Sequence, residues 1–473
     1  MLRRTKIVAT LGPASSNPTT LRALLEAGVN VVRINFSHAD ESAIELIAQV
    51  RHIADELGHP IAVMADLQGP KIRIGRFKDK SITLVDGQSF TLDCYADGVL
   101  GTQEEVSVAY PNLAQELSVG DFLLLNDGLI ELEVTAINNS KIHCTVIEGG
   151  ILTDLKGLNR KGGGLAARAL TDKDVRDLGT AIQAQVDYIS LSFVKDAEDI
   201  RHARKLLSEL GAQKTPIIAK IERTEALDHL TEIILEADAI MVARGDLGVE
   251  VGAAEVPAIQ KHIIEQTRLL DKVVITATQM MESMISSPQP TRAEVSDVAN
   301  AILDGTDAVM LSAETASGLY PVKVVSMVNK ICLSAEKHAS FYYPRDSETC
   351  HFQRADQAIA MATMHAANHF PIKAIITLTE SGDTAQWISR QYSTVPVFAV
   401  SANKRTIGRL SLVNNVFPIY MDYRPFNSQS INQEVLNELK RLNYIDKGYV
   451  LLTRGRNIGT PGGTTCMEII AID

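Results

Sequence analysis

The chain has 473 residues, of which 45% are hydrophobic and 22% are charged. This usage is typical of globular proteins and excludes a disordered, collagen-like or coiled-coil chain, while the length predicts two or three domains rather than one compact core. Asp and Glu number 57 and Lys and Arg 46, which gives a net charge of −11 and argues against a general nucleic-acid binder.

The cysteine pattern and the apolar runs bear on the cellular compartment. An odd number of isolated cysteines argues against a disulfide framework or a zinc motif and fits a reducing cytosol. No apolar stretch approaches the ~18 residues of a membrane span, and the apolar run near the N-terminus is too short for a signal peptide. We therefore expect a soluble cytoplasmic protein. The cysteines are Cys94, Cys144, Cys332, Cys350 and Cys466.

Eight short apolar runs rich in Val, Ile and Ala recur along the chain, with helix-like segments between them. Such runs are typical of parallel strands that are buried on both faces. Repeated strand–helix alternation predicts an α/β fold built on a closed (β/α)₈ TIM barrel. The predicted strands are Lys6–Thr10, Val31–Phe36, Ile61–Asp66, Tyr188–Phe193, Ile217–Ile221, Ala239–Ala243, Val273–Thr278 and Ala308–Ser312.

Two further regions depart from this rhythm. After the third strand, alternating and β-branched segments with the turn pairs Asp86-Gly87 and Asp127-Gly128 predict hairpins, and hence an inserted all-β lid domain. Its glycine-rich exit, Gly157 to Gly164, is interpreted as a hinge. Beyond Tyr343-Pro344 five strands alternate with helices and predict a C-terminal α/β sandwich. The predicted domains are residues 1–67 with 169–342 for the barrel, 68–168 for the lid and 343–473 for the C-terminal domain.

Polar residues stand where the predicted barrel strands end, which is where barrels carry their active sites. Arg33, Asn35 and Ser37 alternate and so share one face of their strand. Taken singly, each such residue has an ordinary interpretation as a helix cap or a structural ion pair. Their convergence at one rim favours an active site. The others are Asp66, Lys220, Glu222, Arg244, Gly245, Asp246, Thr278 and Glu314.

The residue types indicate phosphoryl-transfer chemistry. Glu222 and Asp246 follow adjacent strands and suit Mg²⁺ or Mn²⁺, which keeps water and substrate oxygens in its coordination shell. Lys220 and Arg33 supply positive charge for a phosphoryl group, and Thr278 offers a hydroxyl. Positioned cations with a metal are what phosphoryl transfer needs.

Eight stretches that stand in order on the predicted rim and lid match one enzyme family. The sequence resembles pyruvate kinase along nearly its whole length. The inserted β domain would then be the family's lid and the last domain its effector-binding region. The stretches begin at Thr5 (TKIVATLGPAS), Arg33 (RINFSH), Asp66 (DLQGPKIR), Asn126 (NDGLI), Ile218 (IAKIE), Ala243 (ARGDLG), Thr278 (TQMMESM) and Pro290 (PTRAE).

The resemblance implies a reaction and a role for each matching residue. Phosphoenolpyruvate and ADP would give pyruvate and ATP, with Lys220 beside the transferring phosphoryl group, Arg33 contacting it, and Glu222 and Asp246 holding the divalent metal. Thr278 and the backbone of Gly245 and Asp246 would receive the substrate carboxylate. The nucleotide phosphates would face His38, Arg73 and Lys156. A monovalent-cation shell would consist of Asn35, Ser37, Asp66 and the carbonyl of Leu67.

One departure from the family pattern concerns potassium. At this point this chain reads Gly-Pro-Lys-Ile-Arg, which is similar to the Gly-Pro-Glu-Ile-Arg of potassium-dependent relatives. Lys71 stands in place of the glutamate. An ammonium in or beside the cation shell would provide the charge of a bound K⁺. The sequence therefore predicts K⁺-independent activity. The alternative is that Lys71 is a solvated residue at the lid entrance.

A polar turn in the C-terminal domain is a candidate effector site. Hydroxyls and free amides before a helix suit a phosphate, although ordinary helix capping explains the same residues. Relatives often carry a basic residue where this chain has Asp383, so a sugar monophosphate or AMP is expected rather than a bisphosphate. The resemblance also implies a homotetramer. The turn residues are Thr379, Ser381, Gly382 and Thr384.

Two other functions remain open from the sequence. A metal-dependent barrel lyase or aldolase acting through a pyruvate enolate would share the carboxylate pair, but the lid and the nucleotide-side basic residues argue against it. A non-catalytic relative that only binds effectors would not need Lys220, Glu222, Asp246 and Thr278 together. ADP-dependent release of pyruvate from phosphoenolpyruvate distinguishes the three.

Overall fold

The computed structural model of the protein describes residues 2–37, 42–95, 98–338, 352, 354–391, 393–426, 430–456 and 462–472. Elements are numbered in chain order. The first part of the barrel contains three buried strands and two helices, with Asn17 capping the first helix through its side chain. These elements are β1 (Lys6–Thr10), α1 (Pro18–Glu26), β2 (Val31–Asn35), α2 (Ser42–Leu57) and β3 (Ala62–Asp66).

The lid follows β3 and is built almost entirely of strands. A six-stranded sheet has the order β11-β7-β8-β9-β5-β6, and β10 pairs with β4 beside it. The exit segment interpreted as a hinge contributes strand β11, which pairs antiparallel with β7; the sequence did not predict β10 or β11. The elements are β4 (Ser81–Leu84), β5 (Ser89–Asp93), β6 (Glu105–Ser107), α3 (Leu113–Glu116), β7 (Phe122–Leu125), β8 (Ile130–Asn138), β9 (Lys141–Glu148), β10 (Gly150–Thr153) and β11 (Leu158–Arg160).

The remaining five strands close the barrel in the order β1-β16-β15-β14-β13-β12-β3-β2, which confirms the predicted fold class. All eight strands are parallel to their neighbours, as βα repetition requires. The elements are α4 (Asp172–Gln183), β12 (Tyr188–Leu191), α5 (Ala197–Glu209), β13 (Ile217–Ile221), α6 (Thr224–Asp228), α7 (Leu230–Glu236), β14 (Ala239–Ala243), α8 (Arg244–Val251), α9 (Val256–Leu269), β15 (Val273–Ala277), a 3₁₀ turn (Glu282–Ile285), α10 (Arg292–Asp304), β16 (Ala308–Leu311), α11 (Ala313–Ala316) and α12 (Pro321–His338).

The C-terminal domain is a five-stranded sheet with helices, in the order β19-β18-β17-β20-β21. Its first four strands are parallel and β21 is antiparallel to β20. The five predicted strands are all present. The elements are α13 (Ala355–His369), β17 (Ile372–Leu378), α14 (Asp383–Arg390), β18 (Val397–Ser401), α15 (Lys404–Leu410), β19 (Val416–Tyr420), α16 (Ile431–Arg441), β20 (Gly448–Gly455) and β21 (Thr464–Ile472).

The apolar clusters show how the three parts are joined. One cluster lies between the barrel strands and their helices, and the lid has a separate cluster of its own. A third cluster runs from the barrel interior, at Val8 and Met64, into the C-terminal domain at Ile375 and Leu410. The C-terminal domain therefore shares a core with the floor of the barrel, whereas the lid does not.

Two expectations about composition can be compared with the structure. Cys94, Cys144 and Cys332 are buried free thiols and Cys466 is a partly exposed one, while Cys350 lies outside the described residues. Over the stretches of chain that the structure describes, no helix has both the length and the apolar character needed to cross a bilayer.

Candidate active site

Arg33 and Asp66 meet at the mouth of the barrel because their strands are neighbours in register, with Asn35 opposite Asp66. The Arg33 Nε donates to Asp66 Oδ2 at 2.6 Å, and its Nη1 donates to Thr10 Oγ1 at 3.0 Å. The carboxylate is 1% exposed. Arg33 is thus held at two points, with its guanidinium at the rim.

Lys220 ends at the same place from β13. Its Nζ lies 2.9 Å from Glu222 Oε1 and 3.5 Å from Asp66 Oδ1, and it donates to Ser192 Oγ at 2.8 Å. Ser192 in turn donates to the Leu67 carbonyl at 2.8 Å. One ammonium therefore stands between two buried carboxylates at the centre of the rim.

The charges at this centre shift one another's pKa values. Burial would raise the pKa of Asp66, but the Lys220 ammonium and the Arg33 guanidinium outweigh it and lower that pKa below its usual value. Burial would lower the pKa of Lys220, yet Asp66 and Glu222 raise it. Lys220 thus stays protonated throughout the neutral range, as a group that stabilises developing negative charge must.

Glu222 and Asp246 bring two carboxylates together across β13 and β14. Burial raises the pKa of Glu222; the Lys220 ammonium opposes this shift and the Asp246 charge adds to it. Glu222 Oε2 accepts the Phe193 N–H at 2.7 Å. Such mutual repulsion is what a divalent cation relieves, and a pair of carboxylates is a set of oxygen donors that suits Mg²⁺ or Mn²⁺. The described residues contain no cluster of three or more acidic, His or Cys ligands.

Thr278 lies beside the start of α8. The Gly245 N–H donates to Thr278 Oγ1 at 2.8 Å, and that hydroxyl donates to the Ala277 carbonyl at 2.6 Å. Thr278 therefore contacts Gly245, the residue before Asp246, at one edge of the site.

Lys71 reaches across from the lid entrance to the barrel. Its Nζ lies 2.8 Å from Asp246 Oδ1 and 3.9 Å from Asp127 Oδ1 in the β7–β8 turn. Its ion-pair partners are therefore these two aspartates, and not members of the predicted monovalent-cation shell. The ammonium nevertheless carries a positive charge into the same cleft, next to a predicted metal ligand.

The predicted cation-shell residues are close to this centre, and most of their oxygens are already engaged. Asn35 Oδ1 accepts the Ser37 N–H at 3.1 Å, and the Leu67 carbonyl accepts from Ser192. Asp66 Oδ1 is buried without a hydrogen-bond partner, 3.5 Å from the Lys220 ammonium. That oxygen is therefore placed to accept a cation without losing a hydrogen bond.

The predicted nucleotide-side residues divide between described and undescribed parts of the chain. Arg73 and Lys156 belong to facing segments of the lid, joined by the bridge between Arg73 and Gly157 and by the Ile74 N–H, which donates to the Lys156 carbonyl. Arg73 Nη1 donates to the Leu155 carbonyl at 2.9 Å. His38 lies outside the described residues.

The predicted effector turn forms a compact loop before α14. Thr379 Oγ1 accepts the Gly382 N–H at 2.9 Å, and Thr384 Oγ1 is 2.8 Å from Thr464 Oγ1. Arg409 donates to the Ser381 carbonyl and pairs with Asp383 at 3.1 Å. The basic residue nearest this loop is thus partly neutralised by the aspartate that the sequence singled out.

Sequence reasoning missed two residues that organise the site. Ser192 connects Lys220 to the Leu67 carbonyl, and Thr10 holds Arg33. Arg244, which the sequence placed at the rim, contacts the segment around Thr278. Thr10 is the last residue of the first barrel strand, and Ser192 directly follows the fourth. The search for polar residues at the carboxyl ends of strands would therefore have found both, had it been applied to every strand.

Comparison with known proteins agrees with this geometry. The family model described as the barrel domain of pyruvate kinase matches residues 2–325, and the model described as its alpha/beta domain matches residues 357–470. The chain belongs to the pyruvate kinase family. Together the two matches cover the barrel with its lid and most of the C-terminal domain.

Full-length relatives from several bacteria share the family name. The chain is 48% identical over 476 residues to the pyruvate kinase of Buchnera aphidicola subsp. Baizongia pistaciae, covering 99% of each chain. It is 45% identical to pyruvate kinase II of Salmonella typhimurium, covering 100% of this chain and 99% of that one. It is 41% identical to the pyruvate kinase of Geobacillus stearothermophilus, of which it covers 81%.

Proposed function

We propose that the protein transfers the phosphoryl group of phosphoenolpyruvate to ADP, giving pyruvate and ATP in glycolysis. The observation that carries this proposal is the Lys220 ammonium, placed 2.9 Å from Glu222 and 3.5 Å from Asp66 at the barrel mouth. A fixed cation at that point stabilises charge both on the moving phosphoryl group and on the enolate that it leaves.

The remaining rim residues have complementary roles in this proposal. Arg33, held by Asp66 and Thr10, binds the phosphoryl oxygens. The Gly245 and Asp246 amides at the start of α8 receive the substrate carboxylate beside the Thr278 hydroxyl, since helix N-termini favour anions. Arg73 and Lys156 on the lid bind the nucleotide phosphates, and lid docking excludes water so that the phosphoryl group does not pass to it.

Glu222 and Asp246 would hold a divalent metal ion, Mg²⁺ or Mn²⁺. When bound, that ion would neutralise phosphoryl charge and help to place the substrate oxygens. Without the ion, the buried carboxylates of Asp66 and Glu222 raise the pKa of Lys220 and keep it charged.

The test is the variant Lys220→Met, assayed for pyruvate formation from phosphoenolpyruvate with and without ADP. Loss of one such charged group typically lowers turnover ~10²–10³-fold. Turnover is measured well below the unfolding midpoint, because the change also leaves Asp66 and Glu222 buried without their ammonium and lowers stability. Lys261→Met is the matched control, because it removes the Lys261–Asp304 pair on the outside of the barrel.

Three outcomes would contradict the proposal. Near-normal turnover of Lys220→Met with early melting would make Lys220 a structural ion-pair partner. Pyruvate release from other substrates without ADP would favour a lyase or aldolase. Binding of effectors without any turnover by the unmodified protein would favour a non-catalytic relative.

The monovalent-cation requirement is a separate proposal. Lys71 places its ammonium 2.8 Å from Asp246 Oδ1, in the cleft where the family would use K⁺. A fixed ammonium supplies a compact positive charge. The protein is therefore expected to work without K⁺, although Asn35, Ser37, Asp66 and Leu67 remain close together.

For the C-terminal domain we propose a monophosphate effector, a sugar monophosphate or AMP, bound at Thr379, Ser381, Gly382 and Thr384. The support is the polar loop before α14 and the pairing of Arg409 with Asp383, which leaves less positive charge for a second phosphate. A homotetramer in the cytoplasm is the corresponding proposal for assembly and location.

A further inference from the structure

The segment that carries Thr278 has an unusual backbone conformation. Thr278 has φ +68° and Gln279 has φ +52°, so two consecutive residues lie in the left-handed region. For a β-branched residue this conformation is a genuine outlier. Such conformations persist only where the surroundings over-determine them, and they cluster at functional sites.

Arg244 is the residue that fixes this conformation. It is the first residue of α8, and its Nε donates to the Ala277 carbonyl at 3.2 Å while its Nη2 donates to the Thr278 carbonyl at 2.6 Å. The planar guanidinium thereby grips two successive carbonyls. A point charge such as an ammonium cannot reproduce this fork.

The guanidinium is itself held from its other side. Its Nη1 donates to Asp297 Oδ1 at 2.7 Å and to Gln260 Oε1 at 3.2 Å, and its side chain is only 9% exposed. Beyond the strained residues, Glu314 Oε1 accepts the Met281 N–H at 3.1 Å. Buried charged side chains, Arg244 of α8 and Glu314 of α11, therefore hydrogen-bond the strained segment at its two ends.

We propose that Arg244 is a positioning residue for the proposed phosphoryl transfer, acting through Thr278. The same left-handed turn aims the Thr278 hydroxyl at the Gly245 N–H, 2.8 Å away, beside the edge where the substrate carboxylate would bind. Relaxation of Thr278 to an ordinary φ would move that hydroxyl away from this edge. A displacement of about 1 Å at a reacting group can cost ~10²-fold in rate.

The experiment is a double-mutant cycle between Arg244→Lys and Thr278→Gly, with kcat and KM for phosphoenolpyruvate measured separately. Glycine adopts φ +68° without strain and has no hydroxyl to position. Arg244→Lys alone should lower kcat ~10²-fold and change KM less than ~3-fold. In the Thr278→Gly background the same change should lower kcat less than ~3-fold, because the two residues act as a unit.

A second measurement follows the transfer of a proton to the carbon that becomes the methyl group of pyruvate. The enzyme-catalysed exchange of the methyl hydrogens of added pyruvate for deuterium, recorded by NMR in D₂O without phosphoenolpyruvate, should fall with kcat in Arg244→Lys. The matched control is Arg204→Lys, which alters a guanidinium that also bridges a carbonyl (Glu236) and a carboxylate (Asp238), but at the opposite end of β14. Arg204→Lys should leave kcat and deuterium uptake unchanged.

The inference would be overturned if the loss of kcat in the double mutant equalled the product of the losses in the two single mutants, because the residues would then act independently. It would also be overturned if Arg244→Lys changed only KM. An equal loss in Arg204→Lys would show general loosening of the barrel and would also overturn it. The inference rests on the proposed function, which fails separately if the unmodified protein forms no pyruvate from phosphoenolpyruvate and ADP.

Discussion

The lid and the C-terminal domain are attached to the same barrel in opposite ways. The apolar cluster of the lid contains lid residues alone, from Ile72 to Leu165. The cluster at the barrel floor continues without interruption into the C-terminal sheet. The lid can therefore move away without exposing a shared core, whereas the C-terminal domain cannot.

The polar contacts differ less sharply between the two attachments. The lid contacts the barrel through partly exposed charges, such as Lys71 with Asp246, each side chain about one-fifth exposed, and also through the buried Arg223 of the barrel, which donates to the Leu165 carbonyl. The C-terminal domain is joined by Arg390, whose Nη1 donates to Asp307 Oδ2 at 2.9 Å, with both side chains essentially inaccessible. The pair that joins the C-terminal domain has no access to water, whereas the lid is held by both partly exposed and buried polar contacts.

The largest expected effect comes from breaking this buried pair. Asp307→Ala leaves the Arg390 guanidinium buried without its carboxylate, which typically costs about 3–5 kcal/mol in free energy of unfolding. Lys71→Met, which breaks the partly exposed Lys71–Asp246 pair at the lid, should cost under about 1 kcal/mol, because water reaches and screens both charges. Denaturant unfolding of both variants measures the difference; equal losses would contradict the comparison.

The next prediction concerns the lid, where Lys71 contacts the barrel inside the cleft of the proposed active site. Lys71→Glu replaces the ammonium beside Asp246 and Asp127 with a third carboxylate. Turnover in a tetramethylammonium buffer should fall ~10²-fold, as for loss of one stabilising charge, and K⁺ should restore it. The unmodified protein should stay active in that buffer.

The matched control for this prediction is Lys71→Gln, which removes the charge without adding a carboxylate. It should lose activity without K⁺ but gain less from added K⁺ than Lys71→Glu does. If the unmodified protein is nearly inactive without K⁺ and strongly restored by it, Lys71 does not replace the cation.

Lys6 gives the barrel floor a pH dependence. Its Nζ donates to the Val416 carbonyl of the C-terminal domain, and burial, helped by the Arg3 charge, lowers the pKa of Lys6 to about 7. Between that pH and the ordinary lysine pKa of ~10.4, the unfolded chain binds one proton more than the folded chain. Stability should therefore rise with pH, by up to about 1.4 kcal/mol per unit from this group.

Lys6→Met should remove this contribution. Unfolding free energies of parent and variant, measured at intervals from pH 7 to 9, should converge as the pH rises, with the variant the more stable at pH 7. Parallel curves would show that Lys6 does not titrate in this range.

The sequence predicted most of the fold, because a buried parallel barrel leaves a repeated apolar signal. It missed β10 and β11 in the lid, where Gly150 and Gly157 to Gly164 give a turn-like composition and pairing with β4 and β7 decides the structure. Short strands of this kind depend on tertiary partners more than on their own residues.

For the candidate site, strand ends identified the rim residues because the barrel geometry brings them together. The same rule did not predict the partners of Lys71, since these depend on how the lid docks on the barrel. Nor did it predict the left-handed backbone at Thr278, because nothing in the residue types Thr-Gln indicates a φ above zero. The hydrogen bonds from Arg244 to this segment depend on the folded structure.

The smallest expected effect concerns two neighbouring glycines in the exit segment of the lid, which test how the lid docks on the barrel. Gly163 has φ +78°, and a Cβ there would stand 2.9 Å from Glu225 Oε2 and 3.3 Å from Glu250 Oε2. Gly162 has φ +81° but nothing within 4 Å of its Cβ position. Alanine at either position bears the same left-handed cost, roughly 1–2 kcal/mol, so only Gly163→Ala adds a clash with barrel carboxylates.

Gly163→Ala should therefore reduce the docked population of the lid more than Gly162→Ala does. Because the lid carries Arg73 and Lys156, a smaller docked fraction raises the apparent KM for ADP in proportion, by about 10-fold beyond the Gly162→Ala control. The KM for phosphoenolpyruvate should change little, since its proposed contacts are on the barrel. Equal KM values for ADP in the two variants would mean that the Glu225 and Glu250 carboxylates do not limit docking, and that other contacts, such as those of Lys71 and Arg223, set the position of the lid.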